Sequence, residues 1–208
     1  MAAPGRPALR DLFDDAQTPL IGHPPRTHHL EYYVATDGSY RGDRGGLGAV
    51  IETHDGRRVA RVARSDVSPD NNVAEYRALH LGLDVLATRV PPSASVGILV
   101  DHDQLARNVN AVVLGQADPA GSRPAEVVVP PSAGHHWRGI RARLATVGDV
   151  RAARVDGATN PAHPLANDPE AYEHLGRRPD RCVIARTPWR RSPDTVPPPS
   201  RARGSPSD

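Results

Sequence analysis

The stretch SVGILVD, residues 95–101, limits the fold more than any other part of the chain. A short, nearly all-apolar run fits a strand covered on both faces, and strands of that kind typically pair in parallel inside a layered sheet. An α/β architecture follows, with helices laid on the sheet. The run closes on Asp101, at the carboxyl end of the strand, where open α/β sheets place their functional groups.

The residues around this strand are patterned just as regularly. Tyr32–Asp37 is rich in aromatic and β-branched types and reads as a strand. Gly48–His54 is a second, and the Asp55-Gly56 pair behind it signals a hairpin. Arg58–Ala63 alternates apolar residues with arginine, which gives a third, half-exposed strand. A helix is expected over 68–90, started by Ser68-Pro69, with Ala74, Ala78, Leu81 and Val85 on one face. A second helix is expected over Asp103–Leu114, followed by a Pro- and Gly-rich connection over 115–134. A third helix over 135–147 aligns Trp137, Ile140, Leu144 and Val147, and a last strand spans 149–155. The order βββ-α-β-α-α-β predicts a mixed five-stranded sheet flanked by helices, with three antiparallel strands joined to parallel ones.

The two ends are built differently. Hydrophobic residues reach only 38% while proline (22) and glycine (18) are abundant, as expected of a compact core diluted by irregular termini. The expected division is a Pro/His-rich, largely irregular leader over 1–29, a folded domain over 30–170, and an Arg/Pro-rich, mostly disordered tail over 171–208. The leader carries one helical hint at Leu9–Phe13. Every basic residue is arginine, a side chain suited to planar phosphate contacts, although coding bias alone produces the same pattern. One cysteine, Cys182, excludes an internal disulfide and a cysteine-based zinc site. With no signal-like apolar run and no stretch near the ~20 apolar residues of a membrane helix, a soluble cytoplasmic protein is expected, with no membrane partner and monomeric by default.

Three acids occupy telling places. Asp37 and Asp101 stand at strand ends, and Glu75 lies in the first turns of the intervening helix, beside its apolar face. Alone, each has a plain explanation: a turn residue, a strand terminus, a helix N-terminal acid favoured by the dipole. Together at one sheet edge they would repel each other, and a hard divalent cation relieves that repulsion. Two such ions about 4 Å apart activate a water and stabilise the leaving oxygen of a phosphodiester.

The set of motifs resembles type 1 ribonuclease H. "TDGS" follows a first strand, "GGLGAVIE" forms the hairpin return, "NNVAEYRALHLGL" opens the helix and "ILVD" ends the fourth strand, in the family's order from about Leu30 to Asn167. The resemblance implies an RNase H-like fold and an endonuclease that cuts the RNA strand of RNA–DNA hybrids with two Mg²⁺ or Mn²⁺ ions. It assigns metal binding to Asp37, Glu75 and Asp101, and hybrid contacts to Gly38, Ser39, Asn71 and Asn72, the asparagines reaching 2′-hydroxyls in the minor groove. The two asparagines also suit helix capping. One position departs from the pattern: in "TNPAHPLAND", His163 stands where the family has a fourth acid, with Asp168 five residues on as the other candidate. His163 would then be a catalytic residue as a neutral metal ligand or a general acid/base, or else a bystander. A catalytically weak or inactive nucleic-acid-binding member of the same fold is the competing expectation.

Overall fold

A computed structural model describes residues 7–24, 28–42, 44–117 and 126–172. The expected tail, apart from 171–172, and the middle of the 115–134 connection lie outside these residues. Among the described residues no helix is long and apolar enough to cross a membrane.

Strands β1 (Tyr32–Arg41), β2 (Arg44–Thr53) and β3 (Arg58–Ser65) form an antiparallel meander. Helix α2 (Asn71–Ala87) leads to β4 (Val96–Val100), which pairs in parallel with β1. Helices α3 (Asp103–Ala117) and α4 (Gly134–Leu144) precede β5 (Val150–Arg154), parallel to β4. The sheet order is β3-β2-β1-β4-β5, so β1 is central and β4 lies inside the sheet between β1 and β5. Two short helices complete the fold, α1 (Leu9–Asp15) and α5 (His163–Asn167).

Strand alternation divides the core in two. Val34, Ile98 and Val100 turn to one face, where α2, α3 and α4 pack with Leu79, Leu105 and Ile140. Tyr33, Ala35 and Leu99 turn to the other, against Leu9 and Phe13 of α1 and Leu165 of α5. All five residues of β4 are buried, the two-sided cover expected of it.

The leader's described residues are largely irregular, but its helical hint matures into α1. Seven residues are too few to hold a helix in water, so tertiary contacts must do it. Leu9 and Phe13 are fully buried and contribute roughly 2 kcal/mol each by burial. The Glu52 carboxylate of β2 accepts the Leu9 amide at 3.0 Å, where the helix N-terminus leaves donors free, and Arg58 holds its other oxygen at 3.1 Å. Beyond α1, Gln17 bridges the outer edge of β5, its carbonyl accepting the Arg154 amide at 2.8 Å. The Asn110 side chain from α3 closes the same edge: it accepts the Ala152 amide and donates to the Ala152 carbonyl, both at 2.8 Å.

Two sequence expectations need correction. Strand β1 does not stop at Asp37 but continues to Arg41, because the glycine-rich β2 stays in register with it, Asp37 opposite Gly48. The helix start is Asp70, not Ser68-Pro69: its carboxylate accepts the Val73 amide at 2.9 Å. That contact also removes the capping role considered for Asn71 and Asn72, which are the first two residues of the helix itself.

Candidate metal centre

Two glycines make the site possible. A Cβ on Gly38 would lie 2.2 Å from the Ala74 carbonyl carbon and 2.5 Å from the Glu75 amide nitrogen. Only a bare backbone there lets the first turns of α2 rest on β1, and this contact brings Glu75 across the strand. On β2, a Cβ on Gly48 would meet the Ala162 carbonyl oxygen at 2.4 Å. The chain leading into α5 therefore lies directly on β2, beside Asp37. Asn160 ties that approach to β1 by donating to the Thr36 carbonyl at 2.9 Å.

The result is convergence. Asp37, Glu75 and Asp101 each present a carboxylate oxygen, all within 4.8 Å of one another. Asp37 and Glu75 are each 2% exposed, and Asp101 is half-buried at the end of β4. Burial, reinforced by the Asp101 charge, pushes the Glu75 carboxyl from 4.5 up to about 10 and Asp37 from 3.8 up to about 8. One buried oxygen, Glu75 Oε2, has no hydrogen-bond partner. Acids held protonated chiefly by burial, with an unsatisfied buried oxygen among them, fit a divalent cation that would replace the protons. An oxygen-only donor set suits Mg²⁺ or Mn²⁺ rather than a soft metal.

The cleft above the acids encloses about 240 Å³ and also draws on Gly38, Ser39, Asn71, His163 and Asn167. His163 Nδ1 lies 3.3 Å from Asp37 Oδ2, the ring itself being half exposed. Asp168, the other candidate acid, is exposed just after α5 and takes no part in the carboxylate cluster. It lines a neighbouring groove of about 640 Å³ with Arg41, Arg44 and Asp66. Asn72 stands outside the cleft and is held by a residue that pattern reading passed over. His102 accepts the Leu105 amide through Nδ1 at 3.1 Å, capping α3, and its Nε2 lies 3.0 Å from Asn72 Oδ1. The signal available for His102 was its position between a strand-end acid and a helix, the place of an N-cap.

No family model matches the sequence, and no curated protein matches it. Solved structures do match. An N-terminal RNase H domain from Mycobacterium tuberculosis, solved as a fusion with maltose binding protein, is 24% identical with a TM-score of 0.56, over 70% of this chain and 99% of that one. RNase H1 from the halophilic archaeon Halobacterium salinarum is 23% identical with a TM-score of 0.54, over 68% and 98%. LC11-RNase H1, in complex with an RNA/DNA hybrid, is 21% identical with a TM-score of 0.51, over 68% and 99%. With the order β3-β2-β1-β4-β5, helices on both faces and these matches, the chain has an RNase H-like fold.

Proposed function

We propose that the protein is a metal-dependent endonuclease that hydrolyses the RNA strand of RNA–DNA hybrids. The observation that carries this reading is the convergence of Asp37, Glu75 and Asp101 at the floor of an open cleft in an RNase H-like fold. Two Mg²⁺ or Mn²⁺ ions held by these carboxylates would supply an activated water and neutralise charge on the leaving oxygen. The remaining parts follow from the chain's own side chains. Asn71 at the cleft has both a donor and an acceptor for a 2′-hydroxyl, and His102 keeps Asn72 turned in one direction beside it. Gly38 and Ser39 line the same cleft, within reach of a sugar-phosphate strand lying on it. Arg41 and Arg44, along the adjoining groove, suit backbone phosphates.

Labelled RNA–DNA hybrid, double-stranded RNA and double-stranded DNA, each with Mg²⁺ or Mn²⁺, test the reading directly. Hybrid alone should be cut, and Asp37→Asn should lower the rate by roughly a hundredfold or more. The presence of His163 in place of a fourth acid supports a second reading, a catalytically weak nucleic-acid-binding protein of the same fold. Tight hybrid binding with no cleavage under either metal would select it.

A further inference from the structure

The role of His163 turns on which ring nitrogen carries the proton, and its neighbours decide that. Asn167 Oδ1 lies 2.9 Å from Arg41 Nη2 and 2.9 Å from Ser39 Oγ. A guanidinium only donates, so the Asn167 atom facing it is the carbonyl oxygen and the amide nitrogen is turned the other way. That nitrogen is 2.7 Å from His163 Nε2. It too only donates, so Nε2 must accept and carries no proton. The proton of the ring then sits on Nδ1, the atom facing Asp37 Oδ2 at 3.3 Å. An imidazolium, or the Nε2–H tautomer, would set two donors against each other at Asn167.

We propose that Asn167 is a positioning residue that fixes His163 as the Nδ1–H tautomer, so that His163 turns an N–H rather than a lone pair toward Asp37, 3.3 Å away, and does not ligate metal. This deepens the nuclease reading and rests on it only for the use to which Asp37 is put. A protonated nitrogen has no lone pair for a cation, and the ring's one lone pair is turned away from the acids and engaged by Asn167. With that N–H toward Asp37, the ring stands beside the ligating carboxylate as a polar neighbour and not as a ligand. Both His163 and Asn167 come from α5, one turn apart and therefore on one face. Arg41 and Ser39 anchor the arrangement from β1. The donor set toward the cation stays oxygen-only, and the metal preference that an imidazole ligand would bring is not expected.

Long-range ¹H–¹⁵N correlation spectra of the full chain, labelled in its histidine rings, read the tautomer without metal or substrate. In metal-free protein His163 should show a protonated, pyrrole-type Nδ1 and a pyridine-type Nε2. Asn167→Ala should shift the ring toward the Nε2–H form, and Asn167→Asp, whose carboxylate accepts, should put a proton on Nε2. Saturation with Mg²⁺ should leave Nδ1 protonated. A pyridine-type Nδ1 in the wild-type protein, with or without Mg²⁺, overturns the proposal, as does an unchanged tautomer in both Asn167 variants. The wild-type spectrum decides the matter even if a variant fails to fold. A protein that cuts no hybrid yet shows the expected tautomer counts against the nuclease reading and leaves this one standing.

Discussion

Without a cation, the acid cluster makes stability fall as pH rises, opposite to the usual behaviour of paired carboxylates. The folded chain keeps Glu75 protonated up to about 10 and Asp37 up to about 8, while the unfolded chain releases both protons near their ordinary values of 4.5 and 3.8. The stability tied to those protons is complete below about pH 4 and drains away as pH climbs toward the raised folded values. Between about pH 5.5 and about pH 7.5 the folded state holds one extra proton at Glu75, which costs about 1.4 kcal/mol per pH unit, or about 3 kcal/mol across the window. Glu75→Gln keeps the shape and removes the ionisation. In chelator, the stability of the variant minus that of the wild type should therefore grow by about 3 kcal/mol over this window. His102 and His136, whose pKa values are lowered chiefly by burial, bend both curves the other way and cancel in the difference. Saturating Mg²⁺ should shrink the gap, because the cation binds only the wild-type trio well. Urea unfolding followed by circular dichroism, at both pH values with and without Mg²⁺, gives all the numbers. A difference that stays constant within about 0.5 kcal/mol in chelator would mean Glu75 is already ionised in the folded chain, and the reasoning fails.

Other perturbations test the supporting structure. Gly38→Ala drives a methyl into the backbone of α2 and should cost about 3 kcal/mol in urea unfolding while weakening Mn²⁺ binding in calorimetry. Glu52→Ala removes the acceptor under α1 and should release it, read as a large rise in amide exchange at Leu9–Phe13 with the exchange of β4 unchanged. Asn110→Ala leaves the Ala152 amide and carbonyl buried without partners, so a loss of about 2–3 kcal/mol is expected from chemical denaturation. Replacing Asn71 and Asn72 together by alanine should weaken binding to hybrid at least tenfold more than binding to duplex DNA, by fluorescence anisotropy, a difference of about 1.4 kcal/mol. Equal losses on both would remove the 2′-hydroxyl role.

The parts of the fold that were legible beforehand rest on local rules. The buried run of β4, the Asp55-Gly56 hairpin and the apolar stripes of α2 and α4 depend on neighbours a few residues away, and each appears where periodicity puts it, except that Val147 falls past the end of α4 at Leu144. The acid trio was legible because the order of strands and helix brings all three elements to one place on the sheet, even though Asp37 lies within β1 rather than at its end. What stayed hidden depends on contacts far along the chain. An Asp-Gly pair ordinarily turns, yet Asp37-Gly38 stays in the strand because the glycine serves α2, whose backbone crosses above it. Helix α1 owes its place to Glu52, 43 residues away, and the hold of Asn167 on β1 spans 126 and 128 residues. Asp70 outcompetes Ser68 as the cap because its carboxylate, not the serine hydroxyl, reaches the Val73 amide. Ser68 instead donates to Asp66.

The closure of β5 bears on how copies of this protein meet one another. An open strand edge offers amides and carbonyls in a row, and any extended peptide can add to it, which is how domain-swapped dimers and fibrils begin. Here the Arg154 amide is taken by Gln17 and both backbone groups of Ala152 by Asn110, so an incoming strand finds that template spent. The opposite margin, β3, carries Arg58, Arg61 and Arg64, and a second copy approaching along it would set arginine against arginine. Among the described residues, strand addition is thus discouraged at both margins of the sheet, by occupied backbone at one and by charge at the other.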